Sequence, residues 1–328
     1  MLQEIFLGEK LQWPKPYRCA VNFVFNYQGA EGLEPDAKGR IDAEEYARRE
    51  YGPRVGIWRI LRLLDRYQIK ATFVTCGALA ERYPDTVKAI HAAGHDVAGH
   101  GYHHEKAWKL TQEEELETMR KTVDVLTGLT GKTIDGWRCC FQSHVTPDLG
   151  IGQGFIWNSN SFSHDLPYLL KDGNKIIVEV PRQPFGDMFV FQGGKTANPD
   201  DALAIWKKSF DTFYSESNLF HTYCQFSLHP FLIGRPGRIE VLSELIEYVK
   251  RHEGVWFATT DEIARRVLEC ASLTAIGWSG LRFRGPSHEV SFVHGRIQLS
   301  NCRESTRVAA RLHCSAATRF RSQRLSRG

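Results

Sequence analysis

Two histidines four residues apart are the first candidates for chemistry in this sequence. They are His100 and His104, in the segment GHDVAGHGYHHE. Neutral imidazole nitrogens bind zinc and similar divalent cations, and two of them in a turn after a strand can meet at one ion. Because the chain has 13 His in 328 residues, chance alone supplies about 0.5 such pairs, and His91 with His95 repeats the spacing. The pair predicts a metal site only if the fold places it in a cleft.

A third histidine, His229, follows a strand-like run in the segment FSLHPF. Pro230 restricts the residue before it to extended backbone, which directs the His229 side chain at the end of the strand. An imidazole in that place suits a general acid that protonates a leaving nitrogen. The alternative is a core histidine bonded to a carbonyl, and the residues alone leave both interpretations open.

Short runs of β-branched and aromatic residues alternate with amphipathic stretches along the chain. Eight strands are predicted, at Ala20–Asn26, Lys70–Cys76, Asp96–Gly99, Thr133–Arg138, Phe155–Asn158, Lys175–Val180, Tyr223–Leu228 and Val255–Thr259. Helices are predicted between them, including Tyr51–Tyr67, Ala78–Ala93 and one that Thr111 caps. This alternation predicts an α/β fold with a parallel sheet. A closed (β/α) barrel is the more economical arrangement, although periodicity does not decide between a barrel and an open sheet.

Polar side chains follow several of these strands at their carboxyl ends, where a parallel barrel carries its chemistry. They are Asn26, Gln28, Glu31, His100, His103, His104, Arg138, Asn158, Asn160, His229, Thr260 and Asp261. Their gathering at one predicted rim is the strongest structural indication of a site.

The composition bounds the class of protein. The chain is 42% hydrophobic and 24% charged, which is typical of a soluble globular protein. It contains no uninterrupted apolar stretch of about 18 residues, which argues against a membrane span, and its first 18 residues do not resemble a secretory signal, so we expect a cytoplasmic protein. Its eight Cys form no C-x-x-C pair and predict free thiols.

Charge is distributed unevenly along the chain. Residues 273–328 contain ten Arg and no Lys against two Glu, whereas the whole chain has a net charge of +4. We predict an N-terminal arm at 1–18, a single barrel domain at 19–272 and a poorly ordered basic tail at 273–328. A basic patch without a recognisable module does not indicate nucleic-acid binding, and no membrane partner is expected.

Seven ordered segments give the chain a family resemblance. They are AVNFVFNYQGAEG, KATFVTCG, ERYPDTVKAIHAAGHDVAGHGYHHE, DGWR, FIWNSNSFSHDLPYLL, FSLHPFLIGRPGR and GVWFATTDEIAR. Over residues 12–272 the sequence resembles the polysaccharide deacetylase superfamily, the NodB-homology domain. The similarity is greatest to the branch of peptidoglycan-deacetylase-like proteins, allantoinases and cyclic-imide hydrolases. It implies a distorted (β/α) barrel of about seven to eight parallel strands.

The resemblance also implies an activity and its residues. Enzymes of this family hydrolyse a non-peptide C–N bond with a metal-bound water that attacks the amide carbonyl. The two metal-binding histidines correspond to His100 and His104, the general acid to His229 and the third-motif arginine to Arg138, which would stabilise the developing oxyanion. N-terminal arms in similar proteins help subunits associate, so a homo-oligomer is expected.

The first motif departs from the family pattern. Asn26, Tyr27 and Gln28 stand where the family usually has its aspartates. Asn26 cannot accept a proton near neutral pH, whereas Gln28 can offer the metal a neutral oxygen, a weaker ligand than a carboxylate. Glu31 is the nearest carboxylate and could serve as metal ligand or as catalytic base, provided that the loop turns back, and we place it among the catalytic residues.

The expected site therefore has three groups of residues. The metal ligands are His100, His104 and Gln28; the catalytic residues are His229, Glu31 and Arg138; and the substrate-binding residues are Asn26, Tyr27, Asn158 and Trp137. The expected cofactor is a divalent metal, with zinc preferred. A metal-free reaction is the alternative, because the similar allantoinases are thought to work without metal, although they lack the second histidine that this chain keeps.

Three functions remain open from the sequence. The first is hydrolysis of a small cyclic amide, imide or ureide, which the altered first motif and the expected cytoplasmic location favour. The second is deacetylation of an N-acetylated sugar or glycan. The third is a barrel without catalysis that binds a ligand. Three converging imidazoles argue against the third function, because an abandoned site has no physical need for them.

Overall fold

The strands and helices that carry the site are as follows. The computed structural model describes residues 2–191 and 198–273, and the backbone of residues 282–284, 288–293 and 296–301. Its strands are β1 (Gln3–Ile5), β2 (Cys19–Tyr27), β3 (Thr72–Thr75), β4 (Asp96–Gly99), β5 (Gly136–Trp137), β6 (Trp157–Asn158), β7 (Tyr168–Asp172), β8 (Lys175–Glu179), β9 (Thr222–Leu228), β10 (Val255–Phe257), β11 (Arg282–Arg284), β12 (His288–Val293) and β13 (Arg296–Asn301). Its α-helices are α1 (Ala43–Tyr51), α2 (Ile57–Tyr67), α3 (Gly77–Arg82), α4 (Pro84–Ala92), α5 (Gln112–Thr130), α6 (Thr146–Gln153), α7 (Asp187–Phe191), α8 (Pro199–Glu216), α9 (Pro230–Ile233), α10 (Arg238–Lys250) and α11 (Thr260–Leu273).

The predicted parallel sheet is confirmed, and each of the eight predicted strands overlaps an observed one. The sheet order is β1-β7-β8-β6-β5-β4-β3-β2-β10, and β9 pairs with β2. The central strand is β2. Its first residues pair with β10 and its last residues with β3, and it pairs with β9 over most of its length. Since these pairings are parallel, the strand ends that carry polar residues lie at one edge.

The Gln183 side chain links the segment after β8 to β9. Within the described residues these two strands are not paired by backbone hydrogen bonds. Gln183, which follows β8, donates from Nε2 to the Tyr223 carbonyl at 3.0 Å, and its Oε1 accepts from the Gln225 N–H. One glutamine amide thus supplies the donor and acceptor that a neighbouring strand would supply. Among the described residues, backbone hydrogen bonds do not close the barrel, and this side-chain contact links the segment after β8 to β9.

Alternate residues of β2 belong to different layers. Phe23, Phe25 and Tyr27 pack in the cluster formed with the surrounding helices, whereas Ala20 and Val24 pack in a second cluster inside the barrel. This alternation follows from the two-residue period of a strand. It places Asn22 and Asn26, which have the parity of Ala20 and Val24, on the inner face as well.

Two antiparallel pairings extend the parallel sheet at one edge. β7 pairs with β8 antiparallel, and β1 adds antiparallel to β7. Asp172 pairs with Lys175, so the turn between β7 and β8 consists of Gly173, at φ +54°, and Asn174. A Gly-Asn pair between two strands is a hairpin signal that periodicity alone overlooks. The N-terminal arm is therefore part of the sheet, and its Leu11 and Trp13 are buried against the barrel.

Two predicted helices are interrupted. The helix expected over Ala78–Ala93 is split at Tyr83 into α3 and α4, because Pro84 starts a new helix and restricts the residue before it. The helix expected over Tyr51–Tyr67 contains a π-helical segment at Gly52–Gly56 before α2 begins. The predicted capping box of α5 is confirmed, with Thr111 and Glu114 bonded reciprocally.

The C-terminal segment contributes a small antiparallel sheet of β11, β12 and β13. The other residues beyond 273 lie outside the described part of the chain, so the predicted boundary at 272 and the predicted poor order of the tail stay predictions. Among the described helices, none is long and apolar enough to cross a membrane.

Candidate active site

His100 is the best-oriented imidazole at the carboxyl edge of the sheet. It follows β4 directly and is 3% exposed. Its Nδ1 lies 2.8 Å from the Arg138 carbonyl oxygen, which fixes the proton on Nδ1 and leaves a lone pair on Nε2. Nε2 is buried and has no hydrogen-bond partner. Burial, followed by the neighbouring His104, holds the pKa of His100 well below its ordinary value, so the ring is neutral at physiological pH.

His104 faces His100, as the sequence predicts. The two ring centroids are 4.7 Å apart at an interplanar angle of 65°. His104 adopts φ 59°, a left-handed conformation that costs about 1 kcal/mol or more for a residue other than glycine. A Cβ at Gly32 would lie 2.6 Å from His104 Nδ1, so only glycine lets the loop after β2 pack on this ring. Burial, then the charges of His229 and Arg49, lower the pKa of His104 to about 3.

His229 is held by a carboxylate that the sequence analysis overlooked. Its Nδ1 lies 2.7 Å from Asp187 Oδ1, and its backbone N–H donates to Asp187 Oδ2 at 2.6 Å. Asp187 is fully buried at the start of α7. The pair fixes the proton on Nδ1 and presents Nε2 as the reactive nitrogen of His229. A general acid oriented by a buried carboxylate is the arrangement that proton transfer requires.

The altered first motif contributes two buried amides. Asn26 donates from Nδ2 to Ser227 Oγ at 2.9 Å and to the Leu228 carbonyl at 3.2 Å. Gln28, which follows β2 at the same edge, is 2% exposed, and its Oε1 has no hydrogen-bond partner. Asn26 therefore ties β2 to β9, whereas Gln28 keeps an acceptor unused.

Arg138 is placed inside the barrel, where its donors are occupied. Its guanidinium donates to the Ser159 carbonyl and Oγ, to Ser227 Oγ and to Gln225 Oε1, at 3.0, 2.6, 3.2 and 2.7 Å. All these acceptors are neutral, and burial lowers the pKa of Arg138 to about 9. Arg138 reaches the site through its carbonyl, which orients His100.

Glu31, the predicted base, lies on the rim. Its Oε1 accepts from Arg82 at 2.7 Å, and its Oε2 lies 2.8 Å from His103 Nδ1. His103 is exposed. Both carboxylate oxygens are thus held by other side chains, and no contact in the described residues joins Glu31 to His100 or His229.

The remaining predicted substrate contacts are packed within the fold. Tyr27 is fully buried against the outer helices and donates to Thr86 Oγ1 at 2.7 Å. Trp137 stacks on Phe155 with ring centroids 5.8 Å apart. Asn158 accepts from Asn160 Nδ2 at 2.6 Å, inside a buried network. The structure does not bring these three side chains to the imidazole cluster.

Comparison with known proteins places this geometry in a family. The sequence model described as polysaccharide deacetylase matches residues 50–146. The crystal structure of the probable polysaccharide deacetylase from Pseudomonas aeruginosa PAO1 has 30% sequence identity and a TM-score of 0.74, over 77% of this chain and 92% of that one. The chain belongs to the polysaccharide deacetylase family. It is therefore a hydrolase that acts on amide C–N bonds, as predicted.

Two further members of this family are similar over most of the chain. The structure of PuuE allantoinase has 32% identity and a TM-score of 0.73, over 77% of this chain and 91% of that one. The peptidoglycan deacetylase of Helicobacter pylori (strain ATCC 700392 / 26695) is 28% identical over 284 residues, covering 76% of this chain and 94% of its own length.

Polysaccharide deacetylases generally depend on a metal ion. The carboxyl edge of the sheet around His100, His104, Gln28 and His229 is called the mouth below, and its residues fit such an ion. His100 Nε2 and Gln28 Oε1 are buried atoms with lone pairs and no partner, and a buried polar atom left unpaired costs about 1–3 kcal/mol. The lowered pKa values of His100 and His104 keep both rings in the ligating, neutral form. The donor set has no carboxylate among the described residues, so it carries no negative charge.

The sequence analysis missed two residues of this mouth. Both follow the carboxyl end of a parallel strand, which is where a barrel carries its chemistry, so the same criterion could have found them. Arg182 and Asp187 both follow β8, and the residues after that strand were not considered among the candidates. Arg182 is fixed by its backbone N–H, which donates to the Ser161 carbonyl at 2.8 Å. Asp187 starts a short helix, so no periodic pattern marked it.

Proposed function

We propose that this polysaccharide deacetylase family member hydrolyses the amide bond of a small cyclic amide, imide or ureide. The observation that carries the proposal is the His229–Asp187 pair beside the His100–His104 pair. It combines an oriented proton carrier with two neutral imidazole donors. The 32% identity to PuuE allantoinase and the uncharged first motif support a cyclic ureide or related ring as the substrate class.

His229 would move the proton in both directions. In the hydrolysis, water adds its oxygen to the carbonyl carbon, the C–N bond breaks, and the leaving nitrogen takes a proton. His229 Nε2 accepts the proton from water and returns it to nitrogen, while Asp187 stabilises the imidazolium through Nδ1. This proposal replaces Glu31 as the base, because Arg82 and His103 already hold both of its oxygens.

A divalent cation would be held by His100, His104 and Gln28. When bound there, it polarises the substrate carbonyl and lowers the pKa of water. The chain's own part is to keep both imidazoles neutral and to fix His100 through the Arg138 carbonyl. Zinc is the proposed ion, since two imidazoles form part of its usual ligand sets.

Deacetylation of an N-acetylated sugar is the second candidate. The relative from Helicobacter pylori is named a peptidoglycan deacetylase. Phe162 and Phe189 are each 49% exposed, with ring centroids 6.4 Å apart, and exposed aromatic rings of this kind provide apolar surface for a sugar ring. If the substrate is a glycan, this protein would catalyse the same type of reaction as that relative.

A substrate panel separates the candidates. The purified full chain is assayed with hydantoin, dihydrouracil and succinimide, and with N-acetylglucosamine and its oligomers, and the His229→Ala protein reveals any contaminating hydrolase. Opening of a ring compound that His229→Ala cannot perform supports the proposal. Release of acetate from the sugars alone would establish the second candidate. Tight binding without turnover of any compound would make the protein a ligand-binding barrel.

Two expectations from the sequence remain proposals. Self-association is proposed from the resemblance, although the arm at Gln3–Ile5 already pairs within its own sheet. A cytoplasmic location is the second of these proposals. Size-exclusion chromatography with light scattering and cell fractionation test them.

A further inference from the structure

Three cations surround the site mouth, and one of them has no carboxylate partner. Arg49, Lys106 and Arg182 each act electrostatically on Cys140, which follows β5. Arg49 is paired with Glu45 at 2.8 Å and Lys106 with Glu34 at 2.7 Å. Within the described residues no ion pair involves Arg182. The buried Glu179 carboxylate acts on Arg182 electrostatically, but of the three cations only Arg182 has no carboxylate in ion-pair contact within the described residues.

The Arg182 guanidinium is also short of hydrogen-bond acceptors. Its Nε is buried and has no partner, and among the described residues no acceptor contacts its side-chain N–H groups. Arg138, by comparison, is completely buried yet has an acceptor for each of its nitrogens. Burial lowers the pKa of Arg182, but the side chain remains partly exposed and so is open to a ligand. An unpaired donor at such a place costs free energy unless a ligand supplies the acceptor.

The position of Arg182 is fixed by one backbone contact and one ring contact. Its backbone N–H is bonded to the Ser161 carbonyl, and its Cζ lies 4.8 Å from the ring centre of Phe162. Its charge reaches both His100 and His104. A guanidinium held in a plane against an aromatic ring presents its remaining N–H groups as a fork.

We infer that Arg182 binds a carboxylate group of the substrate and that this hydrolase selects anionic amides. A guanidinium fork matches the two oxygens of a carboxylate, and a planar carboxylate next to the amide would place the scissile bond at the imidazole cluster. The inference rests on the proposed function, because it names the substrate class of the same site. It makes Arg182 a specificity-determining residue.

Matched substrates that differ by one carboxylate test this selection. Dihydroorotate is dihydrouracil with an added carboxylate, and N-acetylmuramic acid is N-acetylglucosamine with an added lactyl carboxylate. We expect kcat/KM of the parent protein to favour the acidic member of a hydrolysed pair at least about tenfold, since charged hydrogen bonds contribute about 1.5–3 kcal/mol. In Arg182→Gln this ratio falls to near one, whereas the control Arg62→Gln, on the exposed surface of α2, keeps it. Arg182→Lys keeps part of the preference, because a lysine retains the charge without the fork.

A binding measurement keeps the inference testable if the proposed function fails. Succinate is titrated into each protein by calorimetry at low salt. We expect succinate to bind the parent and Arg62→Gln at least about tenfold more tightly than Arg182→Gln. Equal affinity in the three proteins, or an unchanged kcat/KM ratio in Arg182→Gln, would overturn the inference. Succinate binding that depends on Arg182, together with no hydrolysis of any compound, would retain the carboxylate site and reject the proposed activity.

Discussion

The network of Arg138 and Asn26 inside the barrel differs from the mouth in whether buried polar atoms have hydrogen-bond partners. In the interior, Arg138 and Asn26 have their side-chain donors bonded to acceptors on β9 and after β6. At the mouth, His100 Nε2, Gln28 Oε1 and Arg182 Nε are buried without a partner. A saturated network stabilises the fold, whereas unpaired atoms cost free energy that a ligand would recover. The difference teaches that burial alone does not identify the active residues in this molecule. Unused hydrogen-bonding capacity does so only together with a place at the carboxyl edge of the sheet, because Trp137 Nε1 and Trp157 Nε1 in the interior are also buried without a partner.

The largest expected effect is on turnover, at the mouth. His229→Ala removes the proton carrier, and kcat/KM on the hydrolysed substrate should fall by about 10²–10⁴. Asp187→Asn keeps the imidazole but removes the charge that stabilises its protonated form, so a smaller loss in kcat is expected. His91→Ala, in α4, is the control and should retain activity. Steady-state kinetics with circular dichroism melting checks these variants, and full activity in a folded His229→Ala would remove His229 from the mechanism.

The next effect is on stability, in the interior. Arg138→Leu leaves Gln225 Oε1 and the Ser159 carbonyl buried without donors, so the free energy of unfolding should fall by about 3 kcal/mol. Urea denaturation measures this change. Arg62→Leu is the matched control and should change the free energy of unfolding by less than about 0.5 kcal/mol. If the two variants were equally stable, the interior network would not be the stabilising element.

A smaller effect should follow when the charge of the mouth is changed. Gln28→Glu adds a carboxylate beside two neutral imidazoles, so retention of a divalent cation should increase about tenfold, since carboxylate is the stronger ligand. Competition with a chelator of known affinity measures the change for parent and variant. A decrease in retention would show that the side chain of residue 28 does not face the cation.

The smallest effect is expected on the rim. Glu31→Gln breaks contacts with Arg82 and the exposed His103, and exposed ion pairs contribute about 0–1 kcal/mol. We expect kcat to change less than about threefold. A drop of about 100-fold or more, with an unchanged melting temperature, would restore Glu31 as the catalytic base.

Local sequence pattern predicted much of the fold and less of the site. All eight parallel strands were found because their β-branched and aromatic runs are bounded by turn residues. The β7–β8 hairpin was not, since β7, with the sequence YLLKD, has no distinct alternation of apolar and polar residues. Of the site, the imidazoles were found from spacing and position after strands. That every nitrogen of the Arg138 guanidinium has a hydrogen-bond acceptor was not predictable. The acceptors Ser159, Gln225 and Ser227 come from distant parts of the chain, and only the folded barrel brings them together.

The central claim is that two of the unpaired atoms of the mouth, His100 Nε2 and Gln28 Oε1, are ligands for a divalent cation. The most direct measurement is elemental analysis of the full chain purified without chelators, repeated on His100→Ala. The account predicts about one divalent cation per parent chain and less than about a tenth of that in His100→Ala, since loss of one ligand of three weakens binding strongly. Equal metal content in the two folded proteins would contradict the account, because the bound ion would then lie elsewhere than at His100.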